Sequence, residues 1–232
     1  MVPIKDENPI KITPYITYAL IIVNISVFIY QLSLSEYQLQ EFFQNYAVIP
    51  RQLTATFEGK LSSDSIPELV TLITCQFLHG GFLHVGFNML YLWIFGNNIE
   101  EELGHIKFLL FYLTCGALAA LAQWFFASSS TIPSIGASGA IAGVMGAYIL
   151  RFPTAEILLI LPLGFIFIPF RIPAYAFLGF WFLQQAFNGI LSLDANMNIG
   201  MEGGGIAYWA HAGGFIVGII LAPILGLFRR KI

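Results

Sequence analysis

Charge is what this chain has least of. Asp, Glu, Lys and Arg make up 10% of its 232 residues, against about 25% in ordinary soluble chains. Hydrophobic residues reach 57% and the mean hydropathy is +0.77, so there is too little polar material to clothe a globule of this size. That shortage argues against a soluble enzyme and against a disordered chain. A basic excess is missing as well. The net charge is −3 and the pI is near 5.8, which gives no footprint for nucleic acid. Cysteine is scarce: Cys75 and Cys115 both lie in apolar stretches, so no disulfide framework is signalled. The solvent that suits such a surface is lipid.

Stretches free of Asp, Glu, Lys and Arg run from Ile12 to Ser35, Leu69 to Ile99, Phe108 to Leu150, Ile157 to Phe170, Ile172 to Leu193 and Gly203 to Phe228. A helix needs about 20 apolar residues to cross a bilayer. The third stretch is too long for one crossing, and Ser128-Ser129-Ser130-Thr131-Ile132-Pro133-Ser134 divides it. The fourth is short and carries Pro162, Gly164 and Pro169, so it reads as interfacial or irregular. Six spans remain, at roughly 14–34, 83–100, 106–127, 138–151, 172–192 and 204–227. The expected fold is an all-α membrane protein, a bundle of six transmembrane helices with a structured loop between the first two. Residues 1–13 form a polar N-terminal segment with no cleavable signal, 14–228 the membrane domain and 229–232 a basic tail.

An even span count puts both termini on one side. Placing them in the cytoplasm puts Lys5, Lys11, Lys107, Arg151, Arg171, Arg229, Arg230 and Lys231 inside and only Arg51 and Lys60 outside, as the positive-inside rule requires. The outer segments then hold Glu36, Glu41, Glu58, Asp64, Glu68, Asp194 and Glu202. The outer stretch from Gln38 to Glu68 is too long for a simple connector and is expected to carry structure of its own. A prokaryotic inner membrane is the expected location.

Polar residues inside the spans are costly and are candidates for function. They are Asn24, His84, Asn88, Gln123, Ser138, Gln184, Gln185, Asn188 and His211. None is a carboxylate. Ser138 opens a small-residue helix in which Gly139, Gly143 and Gly146 share a face, a pattern that lets another backbone approach closely. His211 lies on a stripe with Ala207, Gly214 and Gly218, which turns it into the bundle rather than toward water. Taken alone, Ser138 reads as a packing residue and His211 as a satisfied core histidine. At 1.5 Å per residue, Ser138 stands about 20 Å from Arg151 and His211 about 27 Å from Arg229. Both fall in the outer half of the hydrocarbon layer. His84 and Asn88, four apart on one helical face, reach the same depth range and offer neutral donors of the kind that stabilise a developing oxyanion.

Together the patterns H-x4-H-x3-N at His79, His84 and Asn88, G-x-S-G at Gly136 to Gly139 and A-H-x-G-G at Ala210 to Gly214 resemble the rhomboid family of intramembrane serine proteases. The resemblance runs from about Tyr46 to Leu221 and includes Phe95 to Glu100, where family members commonly carry a glycine and a glutamate. It implies Ser138 as nucleophile and His211 as general base. His84 and Asn88, with the backbone N–H of Ser138, become the oxyanion hole, and His79, Gly136 and Gly139 support the site. Phe87 matches a position beside a substrate gate. The substrates implied are transmembrane helices cut near their outer ends, with no cofactor and no nucleic-acid partner. Lateral entry past the aromatic fifth span (Phe177, Phe180, Trp181, Phe182) makes Trp181 the second gate candidate. Two departures stand out. The Trp-Arg pair of the first outer loop is missing, so Arg51 inherits no role. Four residues after the serine, where many relatives place an aromatic on the histidine, this chain has Ala142. Backbone contacts and Tyr208 are then the candidates to orient His211.

Rival readings lack their residues. No His-Glu-x-x-His run serves a metalloprotease, and Asp6, Asp64 and Asp194 all fall outside the spans, so no buried aspartate pair exists. A zinc site from His79, His84 and His211 lacks a compelling spacing. A transporter would need a buried charge along its path. The rival of a different class is a catalytically silent relative that binds or escorts membrane clients.

Overall fold

The computed structural model describes residues 1–60, 66–193 and 206–228. Asp64, Asp194, Glu202, the first residues of the last expected span and the basic tail 229–232 lie outside the described residues. Helices occupy all six expected stretches. These are α1 (Tyr15–Leu32), the broken helix α5 (Phe82–Tyr91) and α6 (Asn97–Leu103) joined by a π-helical turn at Leu92–Gly96, α7 (His105–Phe126), α8 (Ser138–Arg151), α9 (Ala174–Leu191) and α10 (Tyr208–Leu225). Between α1 and α5 the chain folds into α2 (Glu36–Tyr46), α3 (Pro50–Phe57) and α4 (Glu68–Thr74), the last continued by a 3₁₀ turn at Cys75–Phe77. Ser35 starts α2 through a capping box with Gln38, and Pro50 starts α3 from its first turn.

By length and composition, α1, α7 and α10 suffice to cross a membrane. The pair Glu68–Phe77 and Phe82–Leu103, bent by 84° at its break, adds a fourth candidate. α9 has the length, but Gln184, Gln185 and Asn188 dilute its apolarity. α8 is short for a different reason. Every residue from Gly139 to Tyr148 is buried, so this helix forms the centre of the bundle rather than its lipid face. Its glycines make that possible. A Cβ on Gly143 would stand 2.6 Å from Cys115 Cβ on α7, and one on Gly218 of α10 would collide with the Gly143 carbonyl.

The run expected to be interfacial or irregular is regular in structure, a β-hairpin, so the fold is mostly helical rather than all-α. β2 (Glu156–Leu163) and β3 (Ile166–Pro173) pair along their whole lengths around Gly164-Phe165, and β1 (Val2–Asp6) adds to β2. The prolines did not prevent this because each has a free side. Pro169 lies on an edge strand, and Pro162 lies beyond Ile160, where β1 stops pairing. Gly164 supplies the positive φ of the turn. The sheet ties onto the helices through Asp6, whose Oδ2 accepts from Tyr148 Oη at 2.6 Å and Asn98 Nδ2 at 2.9 Å.

Gly96 and Glu100 lock the second helix to the first. Glu100 is fully buried and accepts from the backbone N–H groups of Ile16 and Thr17 and from Thr17 Oγ1. It thereby caps the start of α1 from outside the helix and complements its dipole. A Cβ on Gly96 would meet Thr17 Oγ1 at 3.2 Å.

Candidate active site

Ser138 is the first residue of α8. The chain reaches it through a loop pinned by the segment between α1 and α5. Val48 and Ser134 exchange backbone hydrogen bonds, Arg51 N–H donates to Ser130 O, Thr54 Oγ1 donates to Ser128 O, and Gly136 N–H donates to Cys75 O. Gly136 takes φ +121°, and a Cβ there would stand 2.7 Å from His84 Nε2. Glycine is therefore required on two counts, by the backbone and by the neighbour. His211 sits in the first turn of α10. That helix meets α8 backbone to backbone, since a Cβ on Gly214 would collide with the Gly139 carbonyl.

Ser138 Oγ lies 2.7 Å from His211 Nε2. On its other side His211 Nδ1 lies 2.9 Å from Gln185 Oε1. An amide oxygen can only accept, so Nδ1 carries the proton and Nε2 is left free to accept from the serine hydroxyl. Trp181, one turn before Gln185 on α9, lays its ring beside the imidazole with centroids 5.7 Å apart.

His84 has the complementary arrangement. Gly80 N–H donates to its Nδ1 at 3.3 Å, which leaves the proton on Nε2, the atom turned toward Gly136. Asn88 is buried, and its Nδ2 has no protein acceptor among the described residues. Ser138, His211, His84 and Asn88 line one cavity of about 890 Å³ together with Phe87, Trp181, Met145 and Ile206. Two neutral donors and a base-paired hydroxyl thus face a shared space. α8 begins at Ser138, so its first backbone N–H groups, which have no partner within the helix, lie beside the hydroxyl.

His79 lies just behind. It is buried, its ring meets that of His84 edge to face at 5.0 Å, and its backbone is clamped by Gln31, which donates to its carbonyl at 2.8 Å and accepts from its N–H at 3.1 Å. That clamp on its backbone holds the turn that carries His84. Among the described residues no three His, Cys, Asp or Glu side chains converge as metal ligands. Gly139 packs against Ala119.

A family model for the rhomboid domain matches residues 67–228. This chain belongs to the rhomboid family. Among its relatives, Rhomboid protein 1, mitochondrial, of Saccharomyces cerevisiae is 29% identical over 210 residues, covering 88% of this chain and 51% of that protein. Rhomboid protease GluP of Bacillus subtilis is 31% identical over 156 residues, 67% of this chain and 26% of its own. RHOMBOID-like protein 4 of Arabidopsis thaliana is 29% identical over 195 residues, 83% and 44%. This rhomboid thus spans about half or less of the length of these relatives. They come from a bacterium, a yeast mitochondrion and a plant, so family membership does not carry the prokaryotic location expected from the sequence. With its three long apolar helices, the chain is a membrane protein.

Sequence reasoning singled out Ser138, His211, His84 and Asn88, and the fold brings all four to one cavity. It missed the neighbours of His211. Tyr208 was a candidate to orient that ring, and the contacts belong instead to Gln185 and Trp181. Gln185 was visible as a polar residue in an apolar span, but nothing in the linear pattern distinguished it from Gln184, which is exposed.

Proposed function

We propose that this rhomboid is an intramembrane serine endopeptidase that cuts transmembrane helices near the extracytoplasmic side through a Ser138–His211 dyad. The observation that carries the reading is the 2.7 Å contact between Ser138 Oγ and His211 Nε2 inside a cavity that also holds two neutral donors. Serine is a poor nucleophile without an adjacent base. His211 Nε2 takes the hydroxyl proton as Oγ attacks the scissile carbonyl. The oxyanion forms toward His84 Nε2–H, Asn88 Nδ2–H and the backbone N–H of Ser138. Collapse breaks the peptide bond, and the leaving amine takes the proton from His211. Water then hydrolyses the acyl-enzyme by the same route in reverse.

A transmembrane helix hides its peptide bonds, so a substrate should carry helix-weakening Gly or Pro and a small residue before the cut. Such a helix enters sideways past Phe87 and Trp181, both of which line the cavity. The accompanying topology has six crossings, with α8 and α9 completing the set, both termini in the cytoplasm and 38–68 on the outside. The β2–β3 tip, where Phe165, Ile166 and Phe167 are exposed, then lies at the inner interface.

The test is cleavage of a model transmembrane substrate by the purified protein in liposomes, comparing wild type with Ser138→Ala and His211→Ala. Cleavage by wild type alone supports the proposal. Client binding without cleavage by wild type would favour an escort protein instead.

A further inference from the structure

We propose that Gln185 and Trp181 are positioning residues that hold the general base, together doing for His211 what a carboxylate does in a serine triad. The inference rests on the proteolytic reading above and extends it to α9, an element that the motifs do not touch.

Three observations converge. First, the partner of His211 Nδ1 is the Gln185 side chain at 2.9 Å, on a different helix. Second, α9 turns its two adjacent glutamines in opposite directions. Gln184 is exposed, whereas Gln185 is 8% exposed, and burying an amide in an apolar bundle is costly unless it is hydrogen-bonded. Third, Trp181 lays a ring from α9 beside the imidazole, with centroids 5.7 Å apart. The same indole packs against Phe215 at 6.2 Å, one turn beyond His211 on α10. Trp181 and Gln185 are four apart, hence on one face of α9, and they restrain the ring in two independent ways. The indole limits its tilt, and the amide oxygen limits its rotation while selecting the tautomer.

A neutral amide suits this environment better than a carboxylate. It fixes the Nδ1–H tautomer without placing a charge at membrane depth, where an ionised side chain is expensive. The cost is a weaker hold on the imidazolium that forms during attack. Replacing the amide with a carboxylate should therefore change the pH at which the base works. A residue that only filled space would show no such effect.

The experiment is steady-state cleavage in liposomes across pH for wild type, Gln185→Leu, Gln185→Glu, Trp181→Ala and Trp181→Phe, with Ser138→Ala as blank. Gln185→Leu should lower kcat by about 10–100-fold with KM little changed, since a misoriented base costs turnover. Gln185→Glu should stay active and move the acid limb of the kcat profile to higher pH. Trp181→Ala should lower kcat, and Trp181→Phe should restore most of it. A gate role alone would change KM instead. In the unsubstituted protein, ¹⁵N-histidine NMR, assigned with His211→Ala, should report the Nδ1–H form of His211. Wild-type turnover in Gln185→Leu, an unmoved limb in Gln185→Glu or an Nε2–H tautomer would each overturn the inference. If wild type itself cleaves nothing, the proteolytic reading fails first, and the same NMR on Gln185→Leu, where the Nδ1–H form should be lost, still decides whether Gln185 sets the tautomer.

Discussion

The neighbours of each functional atom set its chemical state. Gly80 N–H fixes the proton of His84 on Nε2, and Gln185 fixes that of His211 on Nδ1, so one imidazole becomes a donor and the other an acceptor within one cavity. Asn88 Nδ2 adds a donor with no competing protein partner among the described residues. Asn88→Ala should therefore lower kcat by about 10²–10³-fold with a smaller change in KM, as loss of one oxyanion donor does elsewhere; steady-state cleavage reads it. A second expectation concerns Asp6, in β1 and outside the apolar helices. Burial raises its pKa, only partly offset by the bonds from Tyr148 and Asn98. The folded state thus binds its proton more tightly than the unfolded chain does. Its contribution to stability is full below the unfolded value and is lost as pH rises through the folded one. Asp6→Asn should flatten the pH dependence of the thermal midpoint between acid and neutral pH while keeping an acceptor for Tyr148. An unchanged slope would remove Asp6 from the account.

Elements matter here through how closely they approach. α8 can lie at the centre only because its glycines admit α7 and α10, and the Ser138–His211 contact depends on that approach. Gly143→Leu places a branched side chain where even a Cβ would stand 2.6 Å from Cys115. The strain is at least the roughly 1–3 kcal/mol usual for overpacking, because the Cys115 side chain must give way and the Gly214 carbonyl stands 3.3 Å behind it. Cleavage should be abolished while membrane insertion, read by protease protection, is retained. Gly136→Ala should act more locally, by clashing with His84 Nε2. The glycine faces on α8 and α10 were legible in the sequence because small residues recur at helical spacing. The hairpin was not. Pro162 and Pro169 read as breakers, and the pairing of β2 with Val2–Asp6 joins segments about 150 residues apart, which local periodicity cannot register. The selection of Gln185 over Gln184 was hidden for a related reason, because the rotation of α9 is set by tertiary packing.

Across the whole molecule, a few long-range ties hold a short, glycine-rich helix in place. Glu100 caps α1, Asp6 joins the sheet to α8, and the segment between α1 and α5 pins the loop before Ser138. Composition alone indicated lipid as the solvent, and three motifs in order indicated the family. Three helices, with the bent pair as a fourth candidate, meet a simple length-and-hydropathy test, whereas α8 has only 14 residues and α9 carries amides, so neither does. The central claim is that the Ser138 hydroxyl is activated by His211 inside the cavity. Mass spectrometry after exposure to a fluorophosphonate probe addresses it directly. The expected result is a single adduct on Ser138 in the wild-type protein and none in His211→Ala. An unlabelled Ser138 in folded wild-type protein, or equal labelling with and without His211, would contradict it.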